Sequence, residues 1–91
     1  MDQYTKIEVE VHCNGAPSVF PPCYRLYVDH DLLTERTFIW PEHMYIDEQI
    51  VVDLHDGIHE VTVHPCTAYG EFILRNIRVD GKPISGTQFK I

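Results

Sequence analysis

The sequence predicts an all-β fold: an antiparallel β-sandwich, immunoglobulin-like or jelly-roll, of about seven or eight short strands. Three observations point there. Apolar and polar residues alternate along several runs, most strictly over residues 6–12, and alternation is the period of a half-buried strand. Turn segments rich in Gly, Pro, Asn and Asp separate these runs about every 8–12 residues. No segment sustains a helical period, and no internal repeat or low-complexity tract interrupts the pattern.

Residues 48–64, EQIVVDLHDGIHEVTVH, are the centre of the pattern. Asp56-Gly57 lies between two β-prone runs, the strongest short-range signal for a hairpin. A tight turn there sets His55 opposite Ile58, Leu54 opposite His59, Asp53 opposite Glu60 and Val52 opposite Val61. One face then collects Ile50, Val52, Leu54, Val61 and Val63. The other collects mostly polar residues, as a sheet packed on one side requires.

The other elements follow in order. In residues 6–12, Ile7, Val9 and Val11 face one way and Lys6, Glu8, Glu10 and His12 the other. Residues 13–18 read as a loop, and Val19 and Phe20 are expected to plug one end of the core before Pro21-Pro22. Residues 23–29 form the second strand and 32–40 the third, joined by a turn at Asp29-His30-Asp31. No glycine fixes the register of that hairpin. Tyr24, Leu26, Val28, Leu33 and Ile39 compete for the core with Arg25, Tyr27, Leu32, Phe38 and Trp40. Tyr24, Leu26 and Val28 are expected inside, because the alternative buries Arg25. Pro41 breaks the third strand. Residues 71–80 form a further strand in which Phe72 and Leu74 have one parity and Ile77 and Val79 the other. A β-bulge near Arg75-Asn76 reconciles them. Asp80-Gly81 is a second hairpin signal, and Pro83 marks an edge position.

The totals bound function. A chain of 91 residues is one domain. Its net charge of −7 argues against nucleic acid and anionic membrane as partners, since both attract basic surfaces. No apolar run reaches the length of a membrane helix. The first residues lack a signal peptide's basic start and apolar core, which makes the cytoplasm the expected compartment. The odd cysteine count, Cys13, Cys23 and Cys66, is a poor disulfide framework and fits that expectation. No cofactor is implied. Ser18 and Ser85 lie outside any nucleophile elbow, no Gly-rich phosphate loop is present, and the chain is expected not to be an enzyme.

Three residue sets are candidate sites. On the polar face of the central hairpin, Asp53 and Glu60 face each other with His55 nearby. A bound cation would relieve the repulsion of the two carboxylates. The alternative is a solvated face, and the spacing matches no established metal motif. His12, Cys13, Cys23, His64 and Cys66 offer zinc-ligand chemistry, but no Cys-x-x-Cys pair is present and strand alternation sends His12 and Cys13 to opposite faces. Buried free thiols are the alternative. A Cys66–His64 pair two residues apart matches no recognised catalytic arrangement. Finally, Tyr27, Phe38 and Trp40, beside Arg25 and Arg36, offer flat rings and hydrogen-bonding groups for a ligand such as a sugar. The alternative is that Phe38 and Trp40 are core residues.

The run Tyr24-Arg25-Leu26-Tyr27-Val28-Asp29, then Leu32-Leu33-Thr34-Glu35-Arg36-Thr37-Phe38 and Trp40, resembles small β-sandwich proteins encoded by marine tailed phages, especially those of cyanobacteria. Glu48-Gln49-Ile50-Val51-Val52 and Gly57-Ile58-His59-Glu60-Val61 extend the resemblance. It implies a viral origin and a place in or on the virion, and it carries over no catalytic residue. A looser similarity is to calcium-dependent, xylan-type carbohydrate-binding modules, although no clear loop of acidic calcium ligands is present. The expected function is that of a virion structural protein, a capsid decoration, cement or tail-associated β-sandwich. It would bind other copies of itself or a capsid or tail protein, using edge strands such as 6–12 or 88–91. A carbohydrate-binding module is the alternative. A second is an acidic phage protein in the cytoplasm of the infected cell, drawn by charge to a basic host protein.

Overall fold

The computed structural model describes residues 3–14, 20–41 and 43–91. Eight strands form in chain order: β1 (Gln3–Asn14), β2 (Cys23–Val28), β3 (Asp31–Thr37), β4 (Tyr45–Leu54), β5 (Ile58–Pro65), β6 (Glu71–Val79), β7 (Lys82–Pro83) and β8 (Gln88–Lys90). They build two four-stranded sheets, ordered β4-β1-β6-β7 and β3-β2-β5-β8. Every strand pairing is antiparallel. The fold is the expected antiparallel β-sandwich.

The core lies between the layers, in two clusters along a body of 47 × 21 × 17 Å. The larger holds Ile7, Val9, Leu26, Val28, Leu54, Val61, Ile77 and Phe89. The smaller holds Val11, Cys13, Tyr24 and Phe38. Alternation in β1 and β2 places Ile7, Val9, Val11, Tyr24, Leu26 and Val28 inside, as expected, while Cys13, read as loop, and Phe38, offered as a platform residue, join them in the core. Phe20 is 69 % exposed and does not plug the core. Val19 lies outside the described residues.

The central hairpin does not form. β4 pairs with β1, setting Asp53 against Tyr4 and Val52 against Thr5. β5 pairs with β2 and β8 in the other sheet. Residues 55–57 are therefore an arch between layers. The inward faces are as expected, because facing strands and paired strands satisfy the same alternation. The turn chemistry decides between them. A type I′ turn needs positive φ at both central residues, and at Asp56-Gly57 only Gly57 has it, at 138°. Gly57 N–H instead donates to the Ile91 carbonyl (3.1 Å), and Ile91 N–H donates back to Gly57 (2.9 Å). At Asp80-Gly81 both residues have positive φ, 51° and 80°, and β6 and β7 do pair across them.

Two bulges set the remaining faces. The bulge expected near Arg75-Asn76 is present: Asn76 has φ of 53°, and the β1–β6 register shifts opposite it, between Glu8 and Glu10. The second lies in β3, where Leu26 faces Thr34 but Tyr27 faces Leu32. The extra residue, Leu33, packs against the core. Beyond it, Arg36 stands opposite the inward-facing Tyr24. Phe38 consequently joins Tyr24 inside, while Ile39 is exposed. Residues 6–12 are not an edge, since β1 lies between β4 and β6. β8 and β7 are edges, as the sequence implies.

Candidate functional site

The five proposed ligand-platform residues occupy three places. Arg25 and Tyr27 face outward from β2, where Arg25 Nε donates to Glu35 Oε1 (2.6 Å) and Tyr27 meets the His64 ring edge-on at 5.1 Å. Phe38 is 1 % exposed, 6.3 Å from the Phe72 ring. It is a core residue, and the bulge in β3 is the reason. Arg36 and Trp40 line a shallow depression of about 410 Å³ with Glu35, Thr37, Ile39 and Ile46. Trp40 is 45 % exposed.

Behind this depression lies a buried carboxylate. The Glu48 side chain is 1 % exposed, accepts the Tyr24 hydroxyl (2.9 Å) and pairs with Arg36 Nε. A buried charge persists only when paired and hydrogen-bonded, and Tyr24 and Arg36 supply both. Burial, then the bond to Glu48, pushes the Tyr24 phenol well above its ordinary range. The bond to Glu48 also holds the Arg36 proton more firmly. Sequence reasoning missed Glu48. The signal was its parity, since it shares the inward face of Ile50, Val52 and Leu54.

The proposed cation ligands are not brought together. Asp53 projects from the outer face of one layer, and Glu60 belongs to the other layer, opposite Gln88. His55 lies exposed in the arch. Among the described residues, no group of three His, Cys, Asp or Glu could hold a metal ion. The zinc set is likewise divided: Cys13 is buried, whereas His12 faces outward, stacked on Tyr45 at 4.9 Å.

A second polar cluster ties the β2–β3 turn to the arch. His59 Nδ1 lies 2.7 Å from Asp29 Oδ2, and His59 Nε2 lies 2.7 Å from the His55 carbonyl. The Glu60 N–H donates to Asp29 Oδ1 (3.0 Å). The carbonyl only accepts, and the ionised carboxylate only accepts, so the imidazolium satisfies both neighbours at once. The bonds to Asp29 and to the His55 carbonyl raise the His59 pKa, against the opposing effect of burial. Burial alone would raise Asp29; the bonds from His59 and the Glu60 N–H outweigh it and leave the carboxyl lowered.

Two of the three cysteines meet on the outer face of β2-β5. Cys66 N–H donates to the Cys23 carbonyl (2.8 Å), continuing the register in which Tyr24 faces Pro65. The Cys66 thiol donates to Glu35 Oε1 at 3.7 Å. Desolvation, then contact with Cys23, pushes this thiol up to about 11.

The sheet edges complete the surface. Among the described residues β4 has a neighbour on one side only, and β3 and β8 bound the other sheet. Val51, in the middle of β4, is 64 % exposed. No protein-family model, no curated protein and no solved structure matches the chain.

Proposed function

We propose that the protein is a non-enzymatic structural β-sandwich of a virus particle, a capsid decoration, cement or tail-associated protein working through protein–protein contacts. The observation that carries this reading is β4, a ten-residue strand that is an edge among the described residues and has no proline or bulge, with Val51 and Tyr45 exposed along it. An open edge of that length offers a row of backbone donors and acceptors to a neighbouring sheet. Other copies of this chain, or a capsid or tail protein, are the partners in this reading. The test is mass spectrometry of purified virus particles from the source, quantified against the major capsid protein. A copy number at a fixed ratio to that protein is the expected result, with a few copies per particle for a tail location. Complete absence from the particle would overturn the reading and favour an acidic protein of the infected cell.

A second reading is supported by Trp40. Its exposed indole, beside Arg36 and Glu35 over a shallow depression, is the arrangement on which a sugar ring stacks. Glycan titration followed by Trp40 fluorescence tests it, because the chain has one tryptophan. An emission spectrum unmoved by every glycan removes this reading.

A further inference from the structure

We propose that Cys23 and Cys66 form an intramolecular disulfide when the protein meets a thiol oxidant, making the pair a modification site on the outer face of the sandwich. The inference does not depend on a viral role. The two residues are directly opposed: the Cys66 N–H bonds the Cys23 carbonyl at 2.8 Å, one half of a hydrogen-bonded antiparallel pair. Such pairs hold their Cα atoms about 5.5 Å apart, within the span of about 4.4–6.8 Å that a disulfide bridges. Cys23 has the outward parity of Arg25 and Tyr27, and Cys66 that of His64, so both thiols lie on one side of the sheet. Cys66 is exposed and Cys23 partly so. Cys13 is buried on the inner face, near Pro22 and Gly70, and takes no part. The odd count that weakened a disulfide reading of the sequence thus resolves into one pair and one core thiol.

The chemistry balances with a small disulfide such as oxidised glutathione. One of the two outer thiols releases its proton to water, and its thiolate attacks one sulfur of the reagent. One glutathione thiolate leaves and takes up a proton. The other outer thiol then releases its proton to water, and its thiolate attacks the protein sulfur of this mixed disulfide and expels the second glutathione as a thiolate, which takes up a proton. Two protein thiols are oxidised, and one reagent disulfide is reduced to two thiols. The bond joins the first residue of β2 to the residue after β5. It reinforces a junction already tied by the Cys23 N–H to Thr67 Oγ1 (3.4 Å).

The experiment treats the reduced, full-length protein with oxidised glutathione, alkylates the remaining thiols after denaturation and weighs the intact chain. The expected product carries one alkyl group where the reduced, alkylated protein carries three, and is lighter than the reduced protein by two hydrogens apart from that group. Cys13→Ala closes as the parent does. Cys23→Ser and Cys66→Ser cannot close, and they stop at a glutathione adduct on the remaining outer thiol. Circular dichroism verifies that the serine variants fold. Should either not fold, Cys13→Ala decides alone, since its two thiols are those proposed. A lasting glutathione adduct on one outer thiol with the other still alkylatable, a disulfide-linked dimer, or an unreacted protein would each overturn the proposal.

Discussion

Replacing Arg36 by methionine isolates the contribution of one guanidinium to a buried charge. Glu48 keeps the Tyr24 hydroxyl but loses its positive partner. Removing one partner of a fully buried ion pair costs about 3–5 kcal/mol. The Arg36 side chain is half exposed, so its charge is partly screened, and the methionine stem preserves much of the packing. The expected cost is therefore about 2–3 kcal/mol. In a domain of this size that lowers Tm by about 10–20 °C. Urea unfolding at neutral pH measures it. Adding Glu48→Gln to Arg36→Met exchanges a stranded charge for a neutral amide and should recover about 1–2 kcal/mol. If Arg36→Met costs less than about 1 kcal/mol, or if the second change recovers nothing, then Arg36 is not what makes burial of Glu48 tolerable.

Other expectations are more direct. The His59 contact raises that residue's pKa, so its stabilisation is complete below the ordinary histidine pKa and fades as pH rises through the folded-state value. Asp29 is lowered, so its share is present above the ordinary carboxylate pKa and is lost as pH falls through the folded value. Urea midpoints should thus decline from mildly acidic to alkaline pH, and His59→Phe should flatten that decline; an unchanged slope would refute the assignment. Gly70→Ala should destabilise by at least about 1 kcal/mol. Gly70 has φ of 89°, and a Cβ there would sit 2.7 Å from Pro22 Cβ; a thermal melt equal to the parent's would contradict that geometry. Phe38→Ala should cost about 3–5 kcal/mol as a core truncation, whereas a platform residue would leave the denaturant midpoint nearly unchanged. Val51→Lys should leave stability within about 0.5 kcal/mol yet abolish incorporation into particles if β4 is the contact, which a particle-binding assay with the variant measures.

Much of the fold was legible because alternation reports which side of a strand is buried. Ile7, Val9 and Val11, Tyr24, Leu26 and Val28, and the shift of parity at Asn76 could all be read this way. Pairing was less legible. The same inward residues Ile50, Val52, Val61 and Val63 serve one bent sheet or two facing layers equally well. Asp56-Gly57 misled because the sequence does not reveal that Ile91 claims the Gly57 backbone. The site residues followed the same division. Asp53 and Glu60 were assigned to a site by a pairing that does not exist, and Phe38 stayed divided between platform and core because the β3 bulge that turns it inward carries no glycine to mark it. Glu48 was overlooked because a charged residue reads as solvent-facing until its partners are known, and Tyr24 and Arg36 come from the other layer. Cys23 and Cys66 met for a reason equally remote from local sequence, the β2–β5 register.

The arch at residues 55–57 also bears on how the chain reaches this structure. A hairpin there would have been a cheap local nucleus. Instead β4 must wait for β1, with Gln3 finding Leu54 and His12 finding Tyr45, while β5 must close on β2 and then receive the last strand of the chain. Loop closure must come before most of the ladder contacts can form. Folding should accordingly fall in the slow regime of all-β domains, about milliseconds to seconds. During that interval β4 is an unpaired strand whose inward residues Ile46, Ile50, Val52 and Leu54 are uncovered, and the freshly made chain is at its most prone to join a neighbour.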